Sequence, residues 1–289
     1  MKTVPVVQVR RMLGGIAMVA LAAASWGTWS LFLRPTGMAA TTSSPIMFVI
    51  MGLVLLPLAL RGPRPAWDRR TVGLLLLNTA CDALNVVTFF GALSMTTVSI
   101  AVITHYAAPI LIALASPRIE GTRTRGTVPA AIVALVGLVI VLEPWQAPKD
   151  GAILGALLGL VSAFCYMGNV FVVRRLAARI GPVRAMSYHS LLAAVALLPF
   201  AVSGLATVTW SGLALLGAGS ITIGAVSGVV FIVGLGRIGS ARTAVLTFAE
   251  PLVAVAVGVL AWGEPIRPIA ALGGALVLAA GIHVAKQAR

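Results

Sequence analysis

The chain has 289 residues, 60% of them hydrophobic and only 10% charged, and its mean hydropathy is +1.05. That composition leaves no residue budget for a soluble domain and describes a chain that lives in lipid. The net charge of +14 is dispersed through short gaps between apolar runs, with no basic, aromatic-interleaved face, which excludes a nucleic-acid binder.

Windows long enough to cross about 30 Å of hydrocarbon predict ten spans, at residues 13–33, 44–61, 71–93, 97–116, 127–142, 152–174, 184–203, 211–235, 240–262 and 267–285. Eighteen of the 21 Lys and Arg lie before the first span, after the last, or in every second loop between; only Arg34, Lys149 and Arg267 fall on the other side. Positive loops stay cytoplasmic, so the alternation predicts ten spans with both termini in the cytoplasm; a bacterial inner (plasma) membrane is the expected location. The first run follows Lys2, Arg10 and Arg11, lacks a cleavage site and leads into nine more spans, so it reads as an uncleaved helix. Trp67, Trp145, Trp210 and Trp262 stand at run ends, where interfacial anchors belong. Cys81 and Cys165 lie inside apolar runs without metal-ligand spacing and read as small hydrophobes.

Taken in order, the spans carry few polar groups, and each must be explained. Trp26 lies in the first. In the third, Asn78, Asp82, Asn85 and Phe89 recur at i, i+4, i+7 and i+11 and share one face. A polar stripe cannot face lipid cheaply, so it faces the bundle interior or a water-filled path. Asp82, near the midplane with no basic residue at similar depth, is either the partner of a cargo ammonium or a structural carboxylate held by neighbouring hydroxyls and amides. His105 and Tyr106 reach the midplane of the fourth span, and Tyr166 and Phe164 that of the sixth. His105 reads equally as a titrating group and as a hydrogen-bonded core residue, whereas His189 lies nearer the cytoplasmic side. The eighth span repeats a face with Ser220, Gly224, Ser227 and Phe231, and the ninth aligns Thr243, Thr247 and Glu250. Pro109 and Pro251 deprive the carbonyls of His105 and Thr247 of their amide partners. These carbonyls are cargo contacts, or the prolines are structural kinks only. For Glu250, cargo or proton handling stands against hydrogen bonding to the broken backbone. Apolar cargo or a cationic head could meet the aromatics Trp26, Phe89, Tyr106, Phe164 and Tyr166.

The two halves of the chain match at an offset near 140 residues. Trp26–Arg34 falls on Tyr166–Arg174, Leu55-Leu56-Pro57 on Leu197-Leu198-Pro199, Leu93 on Leu235, Pro109 on Pro251 and Gly137 on Gly281. Five spans per half is an odd number, so the second copy, 147–289, enters the membrane from the face opposite the first, 1–146. This is a 5+5 inverted repeat, an all-α architecture suited to alternating access. Gly151, Gly155 and Gly159 form one small-residue stripe, and Gly224 and Gly228 another, as close helix contacts require.

Ala249-Glu250-Pro251-Leu252 followed by Trp262-Gly263-Glu264-Pro265 resembles the signature of EamA-type members of the drug/metabolite transporter superfamily. With the repeat, the resemblance extends over essentially the whole chain and implies the ten-helix transporter fold. It also implies export of amino acids or similar metabolites, including aromatic ones; the outward direction comes from the resemblance alone. Phosphate-carrying branches of that superfamily are expected to place Lys or Arg in the cavity, and this chain has none near any midplane. The glutamate that the small four-helix relatives carry in their first helix is also missing here. The residues suit a small zwitterion or amine, with a cation or multidrug extruder of the same fold as the other reading. No His-rich cluster, Gly-x-Ser-x-Gly elbow or Gly-rich phosphate loop points to an enzyme, and no cofactor or metal is expected. The anticipated partners are a small-molecule substrate and lipid, in a monomer or weak homodimer. The expected substrate contacts are Trp26, Asn78, Asp82, Asn85, Phe89, His105, Tyr106, Tyr166, Ser227, Thr247 and Glu250, with Pro109 and Pro251 as hinges.

Overall fold

A computed structural model describes residues 6–121, 124–146 and 152–287; Lys2, Arg123, Lys149, Gly151 and Arg289 therefore lie outside the described residues. Among the described residues the ten spans form fourteen α-helices, because several of them are broken. They are α1 (Val6–Trp26) extended by α2 (Ser30–Leu33), α3 (Ala40–Ala59), α4 (Arg69–Met95), and α5 (Val98–His105) with α6 (Ala108–Ile119). Next come α7 (Thr127–Leu142), α8 (Ala152–Ile180), α9 (Pro182–Ala201), and α10 (Trp210–Gly219) with α11 (Ser227–Ile238). Finally α12 (Ser240–Leu246) and α13 (Ala249–Trp262) form the ninth span and α14 (Ile269–Lys286) the tenth. Among the described residues nine spans are long and apolar enough to cross a membrane, while α7 is a shorter apolar helix of 16 residues. At 1.5 Å per residue it reaches about 24 Å, just under the hydrocarbon thickness.

The breaks have local causes. Pro109 and Pro251 stand in the first turns of α6 and α13, where a missing N–H costs nothing because that amide has no intrahelical acceptor. The chain turns once at Tyr106–Ala107 and again at Thr247–Phe248. A π-helical stretch, Ser220–Val226, joins α10 to α11 and shifts the phase of the eighth span. Several predicted ends move: α1 begins at Val6, so Arg10 and Arg11 lie within it, and α8 continues to Ile180, so Arg174, Arg175 and Arg179 sit on its last turns and not in a loop. Long basic side chains can do this by snorkelling to the interface. At the start of α4, Asp68 caps the helix, accepting from the Thr71 amide and hydroxyl at 2.7 Å each and pairing with Arg179. The Thr71 hydroxyl and amide, helped by the guanidinium, hold this exposed carboxyl below its ordinary range.

The most extensive helix contacts all cross between the halves: α4 with α8, α3 with α9, α7 with α14, and α1 with α11. In spans these are 3 with 6, 2 with 7, 5 with 10, and 1 with 8, a set that maps onto itself when the halves are exchanged. Two inverted repeats related by a pseudo-two-fold axis in the membrane produce that pattern. Lipid tails are as apolar as leucine, so close packing of small residues has to hold such pairs together. Gly137 and Gly273 meet between α7 and α14, where a Cβ on Gly137 would lie 2.6 Å from the Gly273 carbonyl oxygen. Gly159 of α8 faces Thr104 of α5, and a Cβ there would lie 1.9 Å from the hydroxyl oxygen. Gly73, on the lipid-facing side of α4, has nothing within 4 Å of the same position. Gly159→Ala is therefore expected to destabilise the protein by about 1–3 kcal/mol through overpacking, and Gly73→Ala to leave it unchanged. Melting curves in detergent test the pair, and equal melting temperatures would refute the contact argument.

Candidate functional site

A cavity of about 500 Å³ lies between the halves, within the roughly 300–1,000 Å³ range of small-molecule sites. Its middle is walled by Asp82, Asn85 and Phe89 of α4, by the α5/α6 turn with His105, Tyr106 and Pro109, by Tyr166 and Asn169 of α8, and by Thr247 and Glu250 of the α12/α13 break. Trp26 closes one side. The cavity extends past Trp29 to Leu33, Met38 and Ala40, on the side away from the arginine-rich loops. Towards those loops it ends at Val173, Met186 and Ile232, beneath which Leu176, Ile180, Leu235 and Ile238 are packed and buried.

Most polar groups in the wall are held by partners that fix their roles. Ser162, fully buried on α8, donates to Asn85 Oδ1 at 2.7 Å, so its oxygen accepts from His105 Nδ1 at 2.7 Å. That chain places the His105 proton on Nδ1 and leaves Nε2 as an acceptor. The imidazole lies 4.8 Å from the Phe89 ring and 5.5 Å from both Tyr106 and Tyr166, centroid to centroid. Tyr106 stands beside Glu250, and Tyr166 beside Thr247. Trp26 donates its indole N–H to the Ile223 carbonyl at 3.2 Å and packs against Phe231 at 4.8 Å, which leaves a ring face towards the cavity.

Asp82 is not alone. His189 Nε2 of α9 lies 3.2 Å from Asp82 Oδ2, and both residues line the cavity. The expectation that no basic residue stands at the depth of Asp82 is corrected: α9 starts at Pro182, so His189 lies about two turns into the membrane and not at its edge. Four more expectations change. Asn78 is fully buried one turn below Asp82, outside the cavity, and neither of its side-chain polar atoms has a hydrogen-bond partner. Ser227 is also outside, because the π turn redirects it: its hydroxyl donates to the Thr222 carbonyl five residues back at 3.2 Å and accepts from Ser25 at 2.8 Å. Pro251 is buried behind Glu250, and the Thr247 carbonyl is no free contact because it accepts from the Glu250 amide at 3.0 Å. Phe164 turns outward and is 54% exposed on the lipid-facing surface. Sequence reasoning passed over Asn169 and Trp29. Each lies three residues after a chosen aromatic, Tyr166 and Trp26, and so shares its helical face, the one signal that could have found them.

Two ion pairs flank the cavity at opposite ends. Towards the arginine-rich loops Arg174 Nη1 of α8 meets Glu120 Oε1, just past α6, at 2.7 Å, and Glu120 also accepts from the Ser240 hydroxyl at the start of α12. At the far end Arg34, just past α2, pairs with Glu264, just past α13, and stands 5.3 Å over the Trp262 ring. Arg34 and Arg174 are repeat equivalents, and Glu120 falls on Glu264 at the spacing that aligns Gly137 with Gly281. Each pair thus ties the first span of one half to the end of the fourth span of the other. The Glu120 carboxylate is buried, with a side chain 6% exposed, whereas its counterpart Glu264 is 47% exposed.

The EamA-like transporter family model matches the chain twice, over residues 13–143 and 153–284. The chain belongs to this family. As an EamA-like transporter it is 31% identical over 274 residues to an uncharacterized transporter of Archaeoglobus fulgidus, an alignment covering 94% of this chain and 96% of that protein. It also superposes on a crystal structure with a TM-score of 0.82 at 20% identity, covering 94% of this chain and 98% of that one, a likeness of fold alone. It is a multi-pass, all-helical membrane protein built from two repeats, and a transporter of small molecules.

Proposed function

We propose that this EamA-like transporter moves small amine-bearing metabolites, foremost amino acids including aromatic ones, out of the cytoplasm by alternating access. The cavity wall carries the reading: it combines the carboxyls of Asp82 and Glu250, the amides of Asn85 and Asn169 and a ring of aromatics, with no Lys or Arg among its lining residues. A cargo ammonium has carboxylates to meet. A cargo carboxylate has the amides and the N-terminal end of α6, whose residues Ala108 and Pro109 line the cavity and whose helix dipole points its positive end there. Extrusion of quaternary amines is the second reading, favoured by the cage of Trp26, Phe89, Phe90, Tyr106 and Tyr166.

Residues 1–146 and 147–289 act as the two rocking units. With both termini in the cytoplasm of a bacterial inner membrane, the cavity described above faces outward and the Glu120–Arg174 pair closes the inner face. The protein works as a monomer or weak homodimer, without cofactor or catalysis.

Reconstituted proteoliposomes separate the readings. Labelled phenylalanine should exchange against unlabelled amino acids, and tetraphenylphosphonium should compete only weakly. The reverse order of competition establishes the cation extruder. Sugar phosphates and nucleotide sugars should neither compete nor be carried, because the wall offers their phosphates no cation; saturable uptake of either would falsify this account of the cavity. Orientation is checked separately by thiol labelling in intact cells. Arg69→Cys should react only after the membrane is breached, Arg267→Cys and Lys149→Cys from outside, and the opposite result at any one overturns the topology.

A further inference from the structure

We propose that Asp82 and His189 together form a proton-binding site, and that the proton they hold leaves when the ammonium group of the cargo reaches Asp82. The second half of this statement rests on the amine-export reading above; the first does not.

His189 Nδ1 lies 2.7 Å from the Ala185 carbonyl oxygen one turn back on α9. A carbonyl oxygen only accepts, so Nδ1 carries a hydrogen. Nε2 then faces Asp82 Oδ2 at 3.2 Å. With a neutral imidazole and an ionised carboxylate, two lone pairs would confront each other in a site where His189 is 5% exposed. One proton between them removes the conflict, as imidazolium with carboxylate or as imidazole with carboxylic acid, and both arrangements leave the pair neutral.

Among the described residues no other charge compensates the pair: Arg184 of α9 is engaged by the carbonyls of Ala59, Arg61 and Pro63. On α4, Cys81 adjoins Asp82, and on α8 Tyr166 stands near Asp82 while Cys165 stands near Cys81. His105 of α5, Tyr106 and Glu250 line the same cavity, and Tyr188 neighbours His189 on α9. Helix α3 has no ionisable side chain, α11 has only Arg237 in its last turn, and the arginines of α8 stand at its far end. Without its proton the pair would carry a net negative charge inside the membrane, where an uncompensated charge is costly. An arriving ammonium cancels that charge as well as the proton does, and both together would leave a net positive site. Occupancy is therefore exclusive: one proton leaves for each cationic head that binds. Exchange at a single site open to alternate faces is proton-coupled antiport.

Two measurements test this. In the first, purified protein with nitrogen-15 histidine and no cargo is studied by NMR, with His189→Gln assigning the His189 signals. The Nε2 signal should shift on Asp82→Asn, while Nδ1 stays protonated. A signal untouched by Asp82→Asn overturns the proton site, and Asp82→Glu gives the same readout should the asparagine variant not fold. In the second, proteoliposomes loaded with labelled phenylalanine and pyranine are placed in more acidic buffer. Efflux should accelerate by up to about tenfold per pH unit, the linkage limit for one proton, and pyranine should report roughly one proton entering per phenylalanine. In His189→Gln, whatever its residual rate, that acceleration should vanish. Phenylalanine efflux indifferent to pH in the wild type overturns the coupling while amino-acid export stands. Absence of exchange for every amino acid overturns the export reading and leaves the proton site to the NMR result.

Discussion

Asp82→Asn should abolish amino-acid transport and leave a folded protein in the membrane. The carboxylate is the one acid of the cavity paired to a histidine, and it sits where an incoming ammonium can replace that partner. Taking one member out of a desolvated charge pair costs about 2–5 kcal/mol, so exchange should fall by roughly 30- to 5,000-fold. The fold should survive because an asparagine amide can donate to His189 Nε2, whose ring remains anchored through Nδ1 to Ala185. Counterflow of labelled phenylalanine measures the loss, and a melting curve in detergent measures the fold. Normal counterflow removes Asp82 from the site. Loss of folding assigns it a structural role instead.

Breaking the inner ion pair should open the cytoplasmic side far more than breaking its outer twin opens the other. Glu120 is buried and joins α6, α8 and the start of α12, so Glu120→Gln leaves Arg174 without its counter-charge and loosens three elements together. Removing a partner from a fully buried pair costs about 3–5 kcal/mol; Arg174 is 31% exposed, and the smaller figure of about 1–2 kcal/mol applies after solvent screening. Glu264→Gln breaks a pair whose members are both about half exposed, and exposed pairs contribute about 0–1 kcal/mol. Met186 lines the inner end of the cavity. In a background with Cys81 and Cys165 replaced by serine, Met186→Cys should react with a cytoplasmic maleimide roughly tenfold faster after Glu120→Gln, the factor that 1.4 kcal/mol supplies. Glu264→Gln should change the rate little. Equal rates in the two variants would mean that the inner pair does not latch the bundle.

Much of this molecule was legible from its sequence, for physical reasons specific to lipid. A backbone in hydrocarbon has to satisfy its own hydrogen bonds, so apolar length alone specifies helices, and the ten spans appear at their predicted places. Charge is so costly there that each polar residue within a span marks the interior, which is how Asp82, Asn85, His105, Tyr106, Tyr166 and Glu250 could be chosen, and the cavity brings all six together. Prolines and the internal repeat likewise act through the local chain, and the breaks at Pro109 and Pro251 follow.

What the sequence left open is which groups meet across helices. Helical periodicity places a residue on a face but says nothing of the neighbour opposite, so the partnership of Asp82 with His189, 107 positions away, belongs to the packing of α4 against α9. The same limit governs Asn78 and Ser227. A face holds its phase only while the helix is regular, and the π turn at Ser220–Val226 moved Ser227 from the cavity to Ser25. Arg34, Arg174, Glu120 and Glu264 are visible as charges at span ends, but only the crossing of the two halves makes them reciprocal pairs. Sequence determined the membrane-spanning elements and the groups too costly to face lipid; tertiary structure decided how those groups neutralise one another, because electrostatic pairing acts over a few ångströms between segments far apart in the chain.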